Sequence, residues 1–112
     1  MGQVNDNYIK TLRSYAPRDQ FDIEVNGSTK SYTRKKIKAR DYAELEKIRA
    51  QFTKAQNSGD IERASDLQFE IYIKCAQHYL GMTKEEFEDA DFEEVKKVCD
   101  ACNFRTLHGL PN

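Results

Sequence analysis

A chain of 112 residues supports one hydrophobic core and not two, burying about 65% of the surface that the unfolded chain exposes. Eighteen basic side chains against 19 acidic ones leave a net charge of −1, which excludes a strongly basic nucleic-acid coat and an acidic disordered tail. No apolar run reaches the roughly 18 residues of a membrane span, the start MGQVNDNYIK lacks the apolar stretch of a signal peptide, and three cysteines, two of them close together, do not make a disulfide framework, so a cytoplasmic protein is expected.

In residues 1–20 only Tyr8, Ile9, Leu12 and Tyr15 fall at helical spacing before Pro17 stops the pattern, which predicts a mobile arm with at most one short helix. Phe21, Ile23 and Val25 then alternate with Asp22 and Glu24, and Asn26-Gly27 follows, the pair that best tolerates the positive φ angles of a type I′ turn. A two-residue loop sets Val25 against Ser28, Ile23 against Lys30 and Phe21 against Tyr32, within a hairpin segment spanning residues 21–37. A lone two-stranded ribbon is marginal in water, so its apolar face must lie on other elements.

Helices supply that support. Tyr42, Leu45, Ile48 and Phe52 form the stripe of a helix over about 41–57, with Asp41 and Glu44 at the spacing of a capping box. Asp60 caps a second helix, about 60–80, whose apolar arc (Ile61, Ala64, Leu67, Ile71 and Cys75, widened by Phe69 and Ile73) marks it as central, touched on more than one side. Leu80-Gly81 stops it. Thr83 with Glu86 and Asp91 with Glu94 open two more helices, about 84–90 and 92–103, and residues 103–112 read as a tail. The expected fold is α+β: one domain, residues 21–112, with an N-terminal hairpin packed on a bundle of three to four helices.

Two charge clusters stand out. Lys30, Arg34, Lys35, Lys36, Lys38 and Arg40 place six positive charges in eleven residues, and residues 85–94 hold seven carboxylates in ten. A basic ribbon could follow a phosphate backbone, which makes a small nucleic-acid-binding regulator one alternative. The inward alternation of the nearby aromatic residues and the slightly acidic chain argue against it, and lysines also protect an edge strand. Helix dipoles account for part of the acidic run, and the remainder makes the molecule electrically two-ended, suited to head-to-tail self-association. The apolar residues among these charges, Ile37, Phe87 and Phe92, together with Lys35, Lys36 and Arg40, are the expected partner-binding residues.

Cys75-x-x-His78 and Cys99-x-x-Cys102 have the spacing of paired zinc ligands, which makes a zinc-stabilised interaction module a further alternative. All four positions also continue the apolar stripes of their helices, where cysteine behaves as a small hydrophobe, so no metal and no cofactor is expected. Nucleophile elbows, phosphate-cradling glycine loops and helix-borne His-Glu-His arrangements are missing from the sequence, so an enzyme is not expected.

From Phe21 to Cys102 the order of elements resembles the tail assembly chaperones of long-tailed bacteriophages. The likeness is carried by the hairpin FDIEVNG and SYTRKKI, the helix opening ARDYAELEKI, the long apolar helix, and LGMTKEEF leading to DFEEV. The resemblance implies a non-catalytic protein of the bacterial host cytoplasm that coats an apolar tape-measure protein, helps recruit tail-tube subunits, and self-associates. It transfers no functional residue position by position, and it leaves the cysteine pair without a role.

Overall fold

A computed structural model describes residues 2–109. The element order is α1 (Gly2–Tyr15), β1 (Gln20–Val25), β2 (Ser28–Thr33), α2 (Ala39–Asn57), α3 (Ile61–Cys75), a π-helical turn (Ala76–Leu80), α4 (Lys84–Asp89) and α5 (Phe92–His108). The fold is α+β, as the sequence predicts, with a single antiparallel hairpin among helices.

The hairpin register is the expected one, pairing Phe21 with Tyr32, Ile23 with Lys30 and Val25 with Ser28. Its turn needs left-handed backbone twice, and Asn26 (φ 52°) and Gly27 (φ 81°) are residues that adopt it at little cost. Phe21, Ile23 and Tyr32 are buried in the core while Asp22 and Glu24 face solvent. The outer edge of β1 is tied to the α4–α5 junction, where the Asn26 N–H donates to the Asp89 carbonyl (2.9 Å) and the Asp91 N–H to that of Glu24 (2.9 Å).

Caps decide where most helices begin. Asp60 accepts from the Arg63 N–H (3.2 Å) at the start of α3. Thr83 and Glu86 close a full capping box on α4, and Asp91 accepts from the Glu93 N–H (3.1 Å) to open α5. The predicted box on α2 does not form. That helix begins two residues earlier, at Ala39, which leaves Asp41 inside its first turn, favourably placed on the helix dipole.

Two further boundaries differ from expectation. Residues 1–20, read as a mobile arm, contain the 14-residue helix α1, which packs along α5 with Leu12 and Ala16 buried. Its sequence signal is weak because a helix resting on one neighbour needs only a narrow apolar stripe. At the other end α5 continues through His108, so the expected tail is helical over residues 103–108, and residues 110–112 lie outside the described residues.

The central helix is α5 rather than α3. Val95, Val98, Cys99, Ala101 and Cys102 are all nearly inaccessible to solvent, and α1, α3, β1 and the π turn all pack on it. Asp100 locks this arrangement on the α1 side. Its carboxylate accepts from the Tyr8 hydroxyl of α1 and from the Tyr72 hydroxyl of α3 (2.9 Å), with Lys96 Nζ 3.5 Å away. Burial, reinforced by that carboxylate, pushes both phenols up from their ordinary range, so they remain protonated donors.

Ile23 links the hairpin to this core and is fully buried. Ile23→Ala is expected to cost about 2–5 kcal/mol, lowering Tm by at least about 8 °C in thermal unfolding followed by circular dichroism.

Candidate protein-binding face

The predicted partner-binding residues divide among several environments. Phe87 is core, 4% exposed, because α4 is a single short amphipathic helix that inserts its one large apolar side chain between Phe69 (ring centroids 5.3 Å) and Phe92 (6.4 Å). Ile37 is partly buried against the core, whereas Phe92 remains 42% exposed. Lys36 and Arg40 are solvated. Lys35 is held by its backbone, whose N–H donates to the Tyr79 carbonyl (2.7 Å), and its side chain crosses Gly81 so closely that a Cβ there would stand 2.8 Å from Nζ. Gly81, at φ 67°, is favoured for its left-handed backbone, whereas the lysine above it is a flexible end that can move aside.

The two charge clusters meet within one chain. Lys30 pairs with Glu86, which also accepts from the Thr83 N–H (2.9 Å) and from the Tyr32 hydroxyl (3.3 Å). The lysine and the backbone donor hold the Glu86 carboxyl down at about 2. Burial and this carboxylate push the Tyr32 phenol up to about 12. Arg34 is drawn to Asp19, shared with Arg105 (3.0 Å). Head-to-tail association between a free basic strip and a free acidic run therefore loses part of its basis, since Lys30 and Arg34 are already partnered.

The candidate zinc ligands do not converge. The i→i+5 geometry of the π turn widens the helix after Cys75, so a spacing of three no longer places two side chains together. His78 turns to α2, its Nδ1 3.6 Å from an Asp41 oxygen, while the Cys75 sulfur faces Arg49 Nη2 at 3.8 Å. Cys99 and Cys102 are buried in the α5 seam. Desolvation pushes Cys75 up to about 11, Cys102 up to about 12, and Cys99 well above the usual thiol range. Among the described residues no group of three or more His, Cys, Asp or Glu side chains is arranged to hold a metal ion.

The prominent unpartnered feature lies on α3. At 100° per residue, Ile61, Ser65, Gln68, Phe69 and Tyr72 share one face over about 17 Å of helix. Ile61 is 78% exposed and Phe69 46% exposed. Phe92 joins them from the start of α5, its ring edge-on to Tyr72 at 5.6 Å. Across a groove, α2 contributes Phe52 and Gln56. This face is uncharged at its centre in a chain whose residues are 33% charged, whereas the opposite flank of the α2–α3 pair carries Lys54, Asp60 and Arg63. Depletion of charge around half-exposed aromatic residues is the composition of a protein interface core. The sequence showed the breadth of the apolar arc on α3, which was read as the mark of a central helix; in the structure part of that arc is exposed instead.

No model of a known protein family, no curated protein and no solved structure matches this chain. Among the described residues no helix is long and apolar enough to cross a membrane.

Two measurements check this description. The depressed Glu86 carboxyl contributes stability that is fully present above its unfolded value of about 4.5 and is lost as pH falls toward 2. The pH dependence of Tm below 4.5 should therefore be shallower in Lys30→Met, which at neutral pH loses about 0.5–1 kcal/mol. The three thiols should react with an aromatic disulfide reagent only as fast as the protein unfolds, and a strong chelator should leave Tm unchanged.

Proposed function

We propose that this chain is a non-catalytic assembly chaperone that covers an apolar helical segment of a partner protein, in the manner of the phage tail assembly chaperones it resembles, with the tape-measure protein as partner. The observation that carries this reading is the uncharged face of Ile61, Phe69 and Phe92, exposed along about two turns of α3 and at the start of α5. A chaperone of this kind needs apolar surface to offer and a charged exterior to keep the complex in solution, and this molecule combines both. The face is built on helices anchored in the core, so it is presented without a folding step of its own. A partner that binds here also needs its backbone hydrogen bonds satisfied internally, because α3 offers no free strand edge, and a helix meets that condition.

The basic hairpin favours no second reading. Two of its six cations are in ion pairs within the chain.

The test is co-expression with a tape-measure protein of a long-tailed bacteriophage. The wild-type chain should keep the partner in the soluble fraction and co-purify with it. Ile61→Ser, at a position 78% exposed, and Ile61→Ser/Phe69→Ser, whose circular dichroism spectrum is compared with wild type because Phe69 also packs on Phe87, should both weaken that effect, the double variant by at least about tenfold, since apolar anchors dominate interface energy. Undiminished solubilisation by the double variant would rule out this face as the binding site.

A further inference from the structure

The uncharged face has one charged border. Glu62, Asp66 and Glu70 follow one another at four-residue spacing on α3, immediately beside Ile61, Ser65 and Phe69, and all three are exposed. Among the described residues none of the three takes part in an ion pair; Arg63 lines the same shallow groove without reaching any of them. The other border, on α2, carries the uncharged Thr53 and Gln56, and the charged groups beside them, Arg49 and Asp100, are already paired with Glu46 and Lys96. The asymmetry is therefore between an edge of unpaired carboxylates and one whose charges are paired within the chain.

Resting on the proposed function, we infer that the partner is an amphipathic helix whose apolar stripe is bordered along one edge by lysine or arginine at four-residue spacing, and by uncharged residues along the other. The spacing follows from geometry. Successive carboxylates at i, i+4 and i+8 stand about 6 Å apart along α3, the repeat at which cations four residues apart stand on a second helix packed alongside. A strand laid on the same face would leave its own backbone N–H and C=O groups without partners. A second copy of this chain is disfavoured as occupant, because an isologous contact through α3 brings the two acidic edges to the same interface, where like charges repel. The apolar stripe supplies the affinity, while the acidic edge sets the direction in which the helix lies and rejects stripes bordered by carboxylates.

Three synthetic amphipathic helices of identical apolar stripe test this, differing only at three positions along one edge: lysine, glutamine or glutamate. Binding to the intact chain is read by fluorescence anisotropy at low salt. The lysine peptide should bind about five- to tenfold more tightly than the glutamine peptide and the glutamate peptide more weakly than either, with the differences shrinking to about twofold in 0.5 M salt. Glu62→Lys/Asp66→Lys/Glu70→Lys should invert the order of the lysine and glutamate peptides. Should that variant lose its helical spectrum, Glu62→Gln/Asp66→Gln/Glu70→Gln serves instead and should abolish the discrimination. Equal binding of all three peptides to the wild-type chain overturns the charge-directed partner and leaves the binding face in place. Failure of all three to bind overturns the face itself.

Discussion

Everything in this molecule is organised around the narrowness of α5. A helix can be touched by four other elements at once only if its side chains are small, and Val95, Val98, Cys99, Ala101 and Cys102 form such a seam. The cysteines matter here for their volume. Buried thiols carry no charge at neutral pH when desolvation raises them this far, so they occupy core positions as compact hydrophobes. Larger residues at these positions would separate α1, α3 and the hairpin from one another, and overpacking of this kind is itself destabilising by about 1–3 kcal/mol. The hairpin in particular has no independent stability and depends on this seam for a surface to lie on.

The polar contacts then fix what packing alone leaves loose. Apolar contact between helices tolerates sliding by a turn, whereas Asp100, accepting from phenols on two different helices, is compatible with one register only. Glu86 does the same for the hairpin, since one carboxylate collects a lysine and a phenol from β2 and a backbone N–H from its own cap. Both carboxylates are partly buried, Asp100 where α1, α3 and α5 meet and Glu86 where β2 meets the start of α4. Their neighbours are therefore held by directional bonds in addition to area.

Local chemistry made much of the architecture legible in the sequence. Asn26-Gly27 with its flanking alternation defines the hairpin and its register, and the caps at Asp60, Thr83 and Asp91 set three helix starts, because each depends on residues within a few positions of one another. What was not legible depends on distant partners. The docking of α1 requires Tyr8 to find Asp100, 92 residues away. The π turn separates His78 from Cys75 although their spacing suggested a pair, and periodicity cannot register an inserted residue in a helix that continues on both sides. Phe87 and Phe92 looked alike in sequence, each apolar amid carboxylates, yet the packing of α4 buries one and leaves the other half exposed. The breadth of the α3 arc was readable, but whether its outer part is covered by this chain or offered to another is a property of the assembled fold.

The pairing of the first helix with the last has a consequence for how the protein is made. At synthesis rates of about 5–20 residues per second, Tyr8 is added to the chain about 5 to 20 s before Asp100. During that interval Leu12 and Ala16 have no α5 to rest on, and the Tyr8 hydroxyl has only water. The hairpin and the α2–α3 pair can form during this time, but the seam that gathers them is made after all of them. Until α5 forms, α1 is thus an amphipathic helix without the surface it packs on, and closing that contact completes the packing around the seam.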